Sequence, residues 1–245
     1  MRIAVLSDIH GNLGALDAVL ADIARRGADL TVDLGDLLSG PLQVSATADR
    51  LIALNLPTIA GNHERQVLTD PFERMGESDR HAVAQIQPHQ REWLRSLPAM
   101  LRLNEEVMMV HGTPRSDVEC FIETIDETGM RAATREEAAE RAGAADARVI
   151  LCGHTHVPRS LRLDDGRLIV NPGSVGLQAY SDDRPHPHKV ENLSPQARYA
   201  IVERGGDGEW SAQQIAVDYD WSAAAELALR NGRPDWARAL ATGFV

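Results

Sequence analysis

The feature that most constrains the fold is a series of five short apolar runs, each followed by a polar side chain that could bind a metal. A glycine stands beside that polar residue in every case. In chain order the pairs are Arg2–Ser7 with Asp8 and His10, Leu30–Leu34 with Asp36, Pro57–Ala60 with Asn62 and His63, Glu106–Val110 with His111, and Arg148–Cys152 with His154 and His156. Such runs are typical of buried β-strands. Ligands gather beyond the carboxyl ends of strands in layered α/β folds, so we expect these side chains to meet in one pocket.

Amphipathic patterns between the first runs predict helices. Apolar residues behind the N-cap candidate Asn12 fall on one helical face, namely Leu13, Leu16, Leu20 and Ile23. A second pattern predicts a helix over Val44–Leu54. The order strand, helix, strand, helix, strand favours parallel pairing, so the residues alone predict a layered α/β domain.

The rest of the chain gives further expectations. We predict exposed helices in the polar segment 65–98, and a helix over Arg135–Ala142 behind a capping box of Thr134 and Glu137. Later strands are predicted at 167–170, 200–203 and 212–217, a hairpin turn at 163–167, and closing helices at 221–230 and 234–241. No linker divides the chain, so we predict one domain over residues 1–245 with the helices of 221–241 packed on it.

Two polar segments are predicted to face solvent. The proline-rich segment 181–195, which includes His186 and His188, is expected to be a mobile loop. The acidic residues Glu123, Asp126 and Glu127 are expected to form a solvated helix face.

Composition and charge exclude several classes of function. The 245 residues include 36 Asp and Glu against 25 Lys and Arg, a formal net charge of −11. A chain this acidic lacks the broad basic face of nucleic-acid binding proteins, so we expect no extended nucleic-acid surface. Cys120 and Cys152 are too few for a disulfide framework, and no apolar run approaches the ~20 residues that cross a bilayer. We therefore predict a cytoplasmic protein that does not act at membranes.

The donor set predicts a pair of metal ions. Seven side chains qualify as ligands: Asp8, His10, Asp36, Asn62, His111, His154 and His156. If Asp36 bridges and a shared hydroxide is added, two divalent ions become five-coordinate, each able to accept a substrate oxygen. Two divalent charges, two carboxylates and one hydroxide leave a net charge of +1, which attracts a phosphate although the protein is acidic. Paired ions ~3.5–4 Å apart activate a shared water and hold both oxygens of an in-line displacement.

In this order the motifs resemble the signature of calcineurin-like metallophosphoesterases. The matching segments are Asp8-x-His10, Gly35-Asp36, Gly61-Asn62-His63-Glu64, His111 and Gly153-His154-Thr155-His156. The resemblance runs from residue 3 to about residue 176, and its last stretch, Asn171 to Gly176, is similar to the compact bacterial and archaeal phosphodiesterase branch. It implies a four-layer α/β fold in which two facing mixed β-sheets are flanked by α-helices, with a dinuclear centre at their edge.

The resemblance also implies a role for each site residue. Asp8, His10 and His156 would bind one ion, and Asn62, His111 and His154 the other, with Asp36 bridging. His63 would not be a ligand. It would lie over the phosphate, stabilise the transition state and protonate the leaving oxygen, for which an unperturbed pKa of ~6.5 is suitable.

Two departures from the phosphoprotein phosphatases of this family bear on the substrate. Those enzymes carry Gly-Asp-x-x-Asp-Arg-Gly, whose second Asp pairs with the catalytic His. Here Ser39 replaces that Asp and the Arg is absent. They also carry Arg before Gly-Asn-His-Glu, where this chain has Ala60. Because arginine gives a bidentate grip on a phosphomonoester dianion, its absence favours a phosphodiester or a small nucleotide-type ester. Arg115 is the arginine that we expect to bind substrate instead.

These observations predict a phosphoester hydrolase, and specifically a phosphodiesterase, in which a hydroxide between two divalent ions attacks phosphorus. Mn²⁺ is the expected metal, and Fe, Zn, Ni and Co are compatible with the same nitrogen and oxygen ligands. Two alternatives stay open, a phosphomonoesterase of the same fold and a non-catalytic interaction scaffold. The complete ligand set favours an enzyme.

Overall fold

The computed structural model describes every residue from 1 to 245. The strands are β1 Arg2–Leu6, β2 Leu30–Asp33, β3 Met100–Arg102, β4 Val107–Val110, β5 Glu123–Asp126, β6 Gly129–Ala132, β7 Val149–Leu151, β8 Arg159–Arg162, β9 Leu168–Asn171, β10 Ala179–Asp182, β11 His188–Glu191, β12 Ala197–Arg204 and β13 Trp210–Val217. The helices are α1 Leu13–Arg26, α2 Val44–Leu54, α3 Asn62–Thr69, α4 Glu77–Gln85, α5 Pro88–Ser96, α6 Arg135–Ala142, α7 Trp221–Arg230 and α8 Pro234–Thr242.

One mixed sheet has the strand order β13-β12-β1-β2. β1 pairs with β2 in parallel and with β12 in antiparallel, so that Ile3 lies opposite both Leu30 and Val202. The parallel pair needs a crossover connection, which α1 provides. The carboxyl ends of β1 and β2 therefore lie side by side, and the N–H of Asp8 donates to the carbonyl of Gly35 at 2.9 Å.

The second mixed sheet has the order β3-β4-β7-β9-β8. β4, β7 and β9 are parallel, and the two edge strands are antiparallel to their neighbours. The carboxyl ends of β4 and β7 are adjacent, and the N–H of Gly153 donates to the carbonyl of His111 at 2.7 Å. The histidine turns that follow these two strands are thereby joined.

The two sheets face each other across an apolar interior. Ile3 and Val5 of the first sheet pack with Met109 and Leu151 of the second, and all four side chains are fully buried. Helices α1 and α2 cover the outer face of the first sheet, and α6 covers the outer face of the second. The predicted four-layer α/β fold with two facing mixed sheets is confirmed.

Local signals in the sequence account for several helix boundaries. The side chain of Asn12 accepts the N–H of Ala15 at 3.1 Å and caps α1. Thr134 and Glu137 form the predicted capping box at the start of α6. The helices predicted at 44–54 and 221–230 are confirmed with the same bounds.

Three predictions about local structure are wrong. The run Pro57–Ala60 makes only one bridge, from Thr58 to Asp33, because Pro57 has no N–H and Ala60 donates to Pro98 instead. Glu123 is buried on β5, not on a solvated helix, because β5 pairs with β6 and the carboxylate accepts the hydroxyl of Thr155 at 2.8 Å. The segment 181–195 is not all loop, since β11 pairs with β10 within it.

The two C-terminal helices, α7 and α8, pack on each other and close one end of the molecule. Trp236 and Leu240 of α8 are buried with Leu42 and Leu177 in a separate apolar cluster. Leu42 follows the Asp36 turn and Leu177 follows the last motif of the sequence, so α8 lies beside the loops that carry the predicted ligands. None of the eight helices is long and apolar enough to cross a membrane.

Candidate metal centre and catalytic pocket

Left-handed backbone turns present most of the predicted ligands. Positive φ angles, between 52° and 70°, occur at Asp8, His10, Asp36, His154 and His156, and at only two other non-glycine residues, Asn55 and Leu193. Residues other than glycine rarely adopt this backbone conformation. Five such residues in one place indicate that the surrounding structure enforces it. Each turn directs its side chain beyond the end of the preceding strand.

The first group of donor atoms comes from Asp8, His10 and His156, which are all buried. Their ligand atoms lie within 4.8 Å of one another. Nε2 of His10 is 3.1 Å from Nε2 of His156, and Nε2 of His156 is 3.4 Å from Oδ1 of Asp8. The turn after β1 thus meets the turn after β7, although 146 residues separate His10 from His156.

The second group comes from Asp36, His111 and His154, with Asn62 beside them. Nε2 of His111 is 3.1 Å from both Oδ2 of Asp36 and Oδ1 of Asn62. Nδ1 of His154 is 3.0 Å from the same Asn62 oxygen. The N–H of His154 also donates to Oδ2 of Asp8 at 3.2 Å, which connects the two groups.

Backbone carbonyls fix the orientation of three imidazole rings. Nδ1 of His10 donates to the carbonyl of Ser39 at 2.7 Å, Nδ1 of His111 to Leu34 at 2.8 Å, and Nδ1 of His156 to Leu177 at 2.9 Å. A carbonyl can only accept, so Nδ1 carries a proton in each ring and Nε2 is the nitrogen that faces the centre. Hydrogen bonds of this kind commonly orient metal-binding histidines.

The donor atoms fit a cation. Nε2 of His10 and Nε2 of His156 are both acceptors in the neutral rings, yet they face each other at 3.1 Å. This spacing is close to that of two ligands each ~2.0–2.1 Å from a shared ion. Oδ1 of Asp8 is buried beside them without a hydrogen-bond partner, which adds an uncompensated negative charge. The residues present therefore suit a divalent metal with nitrogen and oxygen ligands.

Burial and the neighbouring carboxylates shift the pKa values of the candidate ligands in opposite directions. Burial lowers the pKa of His10 to about 4, and it likewise lowers the pKa of His154 to about 4, so both rings are neutral at pH 7. Burial also acts to lower the pKa of His111, but the carboxylates of Asp36 and Asp8 outweigh it and raise that pKa to about 10. A proton on His111 thus compensates the carboxylates, and a metal ion held by this ring would displace that proton.

Helix α3 begins against the Asp36 turn, and Glu64 joins the two. Its carboxylate accepts three backbone N–H groups, from Asp36 at 2.8 Å, Leu37 at 2.9 Å and Gly61 at 2.9 Å. Gly61 is required by space: a Cβ there would lie 2.2 Å from Oδ1 of Asp36. The same Asp36 oxygen accepts the N–H of His63 at 3.0 Å, so α3 positions the carboxylate as well as presenting its own side chains.

The imidazole of His63 is hydrogen-bonded to a carboxylate that belongs to neither donor group. Its Nδ1 is 2.6 Å from Oδ1 of Asp79 on α4. The His63 side chain is 26% exposed and that of Asp79 only 6%, so the ring faces the pocket and the carboxylate lies behind it. Burial opposes protonation of His63, but the Asp36 carboxylate and the hydrogen bond to Asp79 outweigh it and raise the pKa of His63 to about 9.

A cavity of about 730 Å³ opens over these residues. Four arginines line it, Arg74, Arg184, Arg233 and Arg238, together with His188 and Trp236. Arg115 does not line it: its guanidinium lies 2.6 Å from Glu119 and 2.7 Å from Glu140, and these carboxylates occupy its donors. The structure therefore brings the seven predicted ligands and His63 together and leaves Arg115 outside.

Sequence reasoning missed two residues that shape the site. Glu64 belongs to the Gly-Asn-His-Glu motif, but nothing in that motif predicts that its carboxylate binds three N–H groups of the Asp36 and Gly61 loops. Asp79 lies in the polar segment that was expected to be exposed. An acidic residue in the first turn of a helix is common on electrostatic grounds, so its position carries no distinguishing signal.

The family profile of the calcineurin-like phosphoesterase superfamily domain matches residues 1–188, about three quarters of the chain. The chain belongs to the calcineurin-like phosphoesterase superfamily. This phosphoesterase is 27% identical to an uncharacterized protein of Methanocaldococcus jannaschii, with 96% of this chain and 94% of that protein covered. The resemblance inferred from the motifs is confirmed.

Solved structures agree with this assignment. The phosphoesterase is similar to a metallophosphoesterase from Sphaerobacter thermophilus, with a TM-score of 0.76, 26% identity, and coverage of 99% of this chain and 100% of that chain. It shares its fold with a hypothetical protein from Pyrococcus horikoshii at a TM-score of 0.73 and 18% identity, with 99% and 98% covered. Helix α8, which contributes to the cavity wall, lies beyond the residues matched by the family profile.

Proposed function

We propose that this phosphoesterase hydrolyses a phosphodiester or a small nucleotide-type phosphate ester at a pair of divalent ions. In this proposal Asp8, His10 and His156 would hold one ion, Asn62, His111 and His154 would hold the other, Asp36 would serve both, and His63 is the general acid. The observation that supports it most is that two adjacent donor groups and one imidazole outside both share a single cavity.

When bound, divalent ions supply Lewis-acid charge for the phosphoryl oxygens and lower the pKa of a coordinated water. Mn²⁺ is the metal that we propose to test first. The chain's own contribution is the fixed orientation of its ligands, because three imidazoles are already held by carbonyls and Asp36 is held by the start of α3. This order reduces the cost of assembling the centre.

His63 is suited to protonate a leaving oxygen. With Nδ1 bound to Asp79, Nε2 is the nitrogen that remains for the substrate. The raised pKa, about 9, favours the imidazolium, which has a proton to give at Nε2 near neutral pH. Transfer of that proton to the departing alkoxide yields a neutral alcohol and a neutral ring.

The size of the cavity supports an ester with organic substituents. A volume of about 730 Å³ far exceeds that of a phosphate group and lies within the range of sites for drug-sized ligands. A diester carries a substituent on each side of phosphorus, and the cavity has room for both. The residues of α8 on its wall support our further proposal that residues 1–245 act as one domain.

The test combines metal analysis with turnover of methyl phenyl phosphate, a diester with a poor leaving group. We expect the Mn²⁺-loaded wild type to hold two ions per chain and to be active. His63→Ala should lower kcat by about 100-fold or more, within the ~10²–10⁴-fold range of general acid catalysis, while metal content stays near two. The control is His89→Ala, because His89 is an exposed imidazole paired with Asp49 away from the cavity.

Two results would contradict this proposal. If His63→Ala loses an ion, His63 is a ligand and its assignment as acid fails. If the wild type binds two ions but hydrolyses no phosphoester, the chain is better explained as a non-catalytic scaffold of this fold.

A phosphomonoesterase is the second candidate, and the cavity wall favours it in one respect. Arg74, Arg184 and Arg238 are exposed on that wall, and no carboxylate of the chain lies within 4.0 Å of their guanidinium groups. Such groups could neutralise a monoester dianion. Rates on p-nitrophenyl phosphate and bis(p-nitrophenyl) phosphate separate the two enzymes, since our proposal requires the higher kcat/KM on the diester.

A further inference from the structure

Asp79 is a buried carboxylate whose only charged partner is His63. It lies in the first turn of α4, is 4% exposed, and has Oδ1 2.6 Å from Nδ1 of His63. No arginine or lysine pairs with it. A buried carboxylate needs a compensating donor or charge, and here the imidazole of a different helix provides it.

Helix capping does not explain this placement. Acidic residues in a first turn often bind the free N–H groups of their own helix, but the hydrogen bond of the Asp79 side chain goes to His63 instead. The Asp79 side chain instead reaches α3, 16 residues earlier in the chain. The contact therefore serves the orientation of His63 more directly than the start of α4.

No other side chain replaces this contact. Ser39, at the position where the phosphoprotein phosphatases carry an Asp, has a buried hydroxyl without a hydrogen-bond partner. Its carbonyl accepts from His10, which commits that loop to the metal ligand. The support for His63 therefore comes from α4, in the segment between α3 and β3.

The turn that carries Asp79 is itself anchored by Arg233, the residue before α8. Arg233 donates to the hydroxyl of Ser78 at 3.1 Å and lies 3.3 Å from the carboxylate of Glu77. Farther along α4, Ala82 is fully buried in the apolar cluster that also contains Leu16 of α1 and Leu51 of α2. The carboxylate is thus held on both sides, as a group that orients an imidazole must be.

We infer that Asp79 is the positioning residue of His63: it binds the Nδ1 proton and fixes the ring so that Nε2 faces the substrate's leaving oxygen. The inference rests on the proposed role of His63 as the acid. The proton that moves is the one on Nε2, and Asp79 keeps its own interaction with Nδ1 throughout. No other bond forms or breaks at Asp79.

The test uses two diesters that differ only in their leaving group, methyl phenyl phosphate and methyl p-nitrophenyl phosphate. Nitrophenolate departs without needing a proton, so a defect confined to acid catalysis is larger for the phenyl ester. We expect Asp79→Asn to lower kcat on methyl phenyl phosphate by about 10- to 100-fold, in line with the loss of a supporting hydrogen bond at a metal site. On the nitrophenyl ester the loss should be at least 10-fold smaller, with KM and metal content unchanged.

Two further variants sharpen the test. In a His63→Ala background, Asp79→Asn should have no additional effect, because residues that act as a unit are not additive. Asp49→Asn is the matched control, since it makes the same change at another His–Asp pair, that of the exposed His89. It should leave both rates at the wild-type value.

The outcomes distinguish the inference from the proposed function. Equal losses on both esters, a further loss in the His63→Ala background, or loss of metal would each overturn the positioning role. If His63→Ala shows the leaving-group effect and Asp79→Asn does not, only this inference fails. If His63→Ala lacks the effect, the proposed acid fails and the inference fails with it.

A measurement on the wild type covers the case in which Asp79→Asn does not fold. We expect a strongly downfield Nδ1 proton resonance in the NMR spectrum, assigned to His63 by its absence in His63→Ala. An Nδ1 proton of His63 that exchanges with solvent as fast as that of the exposed His89 would overturn the inference.

Discussion

Three buried carboxylates keep one oxygen without a hydrogen-bond partner: Asp8, Asp33 and Glu123. The Asp8 oxygen lies in a donor group, where a cation would compensate it. Glu123 lies outside both groups, beneath the turn that contains Thr155. Burial raises its pKa to about 7, so at neutral pH the folded protein holds a charge that it disfavours.

Substitution of Glu123 by Gln should change how stability depends on pH. Because the pKa is raised from the unfolded value of 4.5, the folded state binds the proton more tightly, and stability falls as pH rises from about 4.5 to about 7. Gln keeps the shape and cannot ionise. Between pH 5 and pH 8 we expect the free energy of unfolding of Glu123→Gln to rise relative to wild type by about 2 kcal/mol.

Urea denaturation of the metal-free proteins at the two pH values measures this difference. Glu127→Gln is the control, since Glu127 is exposed on the turn between β5 and β6, and its difference from wild type should not change with pH. A Glu123→Gln difference that is equally independent of pH would mean that Glu123 is not buried in its charged form.

The start of α3 and the Asp36 turn depend on a close approach that only glycine permits. A Cβ on Gly61 would lie 2.2 Å from Oδ1 and 2.7 Å from the backbone nitrogen of Asp36. The φ of Gly61 is −90°, which any residue can adopt, so space alone requires glycine here. Movement of this one helix start would displace Asp36, Asn62 and His63 together.

We therefore expect Gly61→Ala to disturb the centre more than the fold. It should lower the metal content below two ions per chain and reduce turnover by about 100-fold or more, with a stability cost of about 1–3 kcal/mol from overpacking. Gly14→Ala is the matched control, because a Cβ on Gly14 in α1 meets nothing closer than 4.0 Å. Metal analysis and thermal unfolding of both variants decide the matter, and a Gly61→Ala protein with two bound ions would refute the expectation.

Some of the elements could be predicted from the sequence and others could not. Helices such as α2 and α7 follow from apolar periodicity, since one face of each packs on the core. The hairpin of β10 and β11 was not predicted, because its strands are short and polar and owe their order to pairing and to the burial of His188. The strand expected at 57–60 fails for a local reason, the missing N–H of Pro57.

The candidate site also contains residues that the sequence could predict and residues that it could not. The candidate ligands other than Asn62 could be predicted because each follows a strand and a tight turn, and strand order then brings the turns together. The partner of His63 could not, because it depends on how α4 docks over α3, and Asp79 resembles any acidic residue at a helix start. The position of Arg115 could not be predicted for a related reason, since its ion pairs with Glu119 and Glu140 depend on how β5, β6 and α6 fold around it.

For the whole molecule, the centre joins the two sheets at one end. Asp8, His10 and Asp36 extend from the first sheet, and His111, His154 and His156 from the second. Without a cation this end combines five left-handed residues, each costing roughly 1–3 kcal/mol, with acceptor atoms that face each other. The apolar interior between the sheets lies apart from it and does not depend on the ions.

Metal removal should therefore lower the melting temperature while the fold remains. Ions that bind only the folded state stabilise it by about 2.7 kcal/mol per site at 100 times the dissociation constant. For a chain of this size that corresponds to an upward shift of about 5 °C or more. We expect EDTA to remove this shift and Mn²⁺ to restore it, with the far-ultraviolet circular dichroism at 25 °C unchanged throughout.

Variants separate metal binding from general effects of Mn²⁺ on the protein. His63→Ala should retain the full shift, because His63 is proposed as the acid and not as a ligand, whereas Asp36→Asn should lose most of it. An Mn²⁺ shift that survives in Asp36→Asn would place the ions elsewhere. If neither EDTA nor Mn²⁺ changes the melting temperature of the wild type, the left-handed turns and facing acceptors are stable without a cation. The case for a dinuclear centre would then fail.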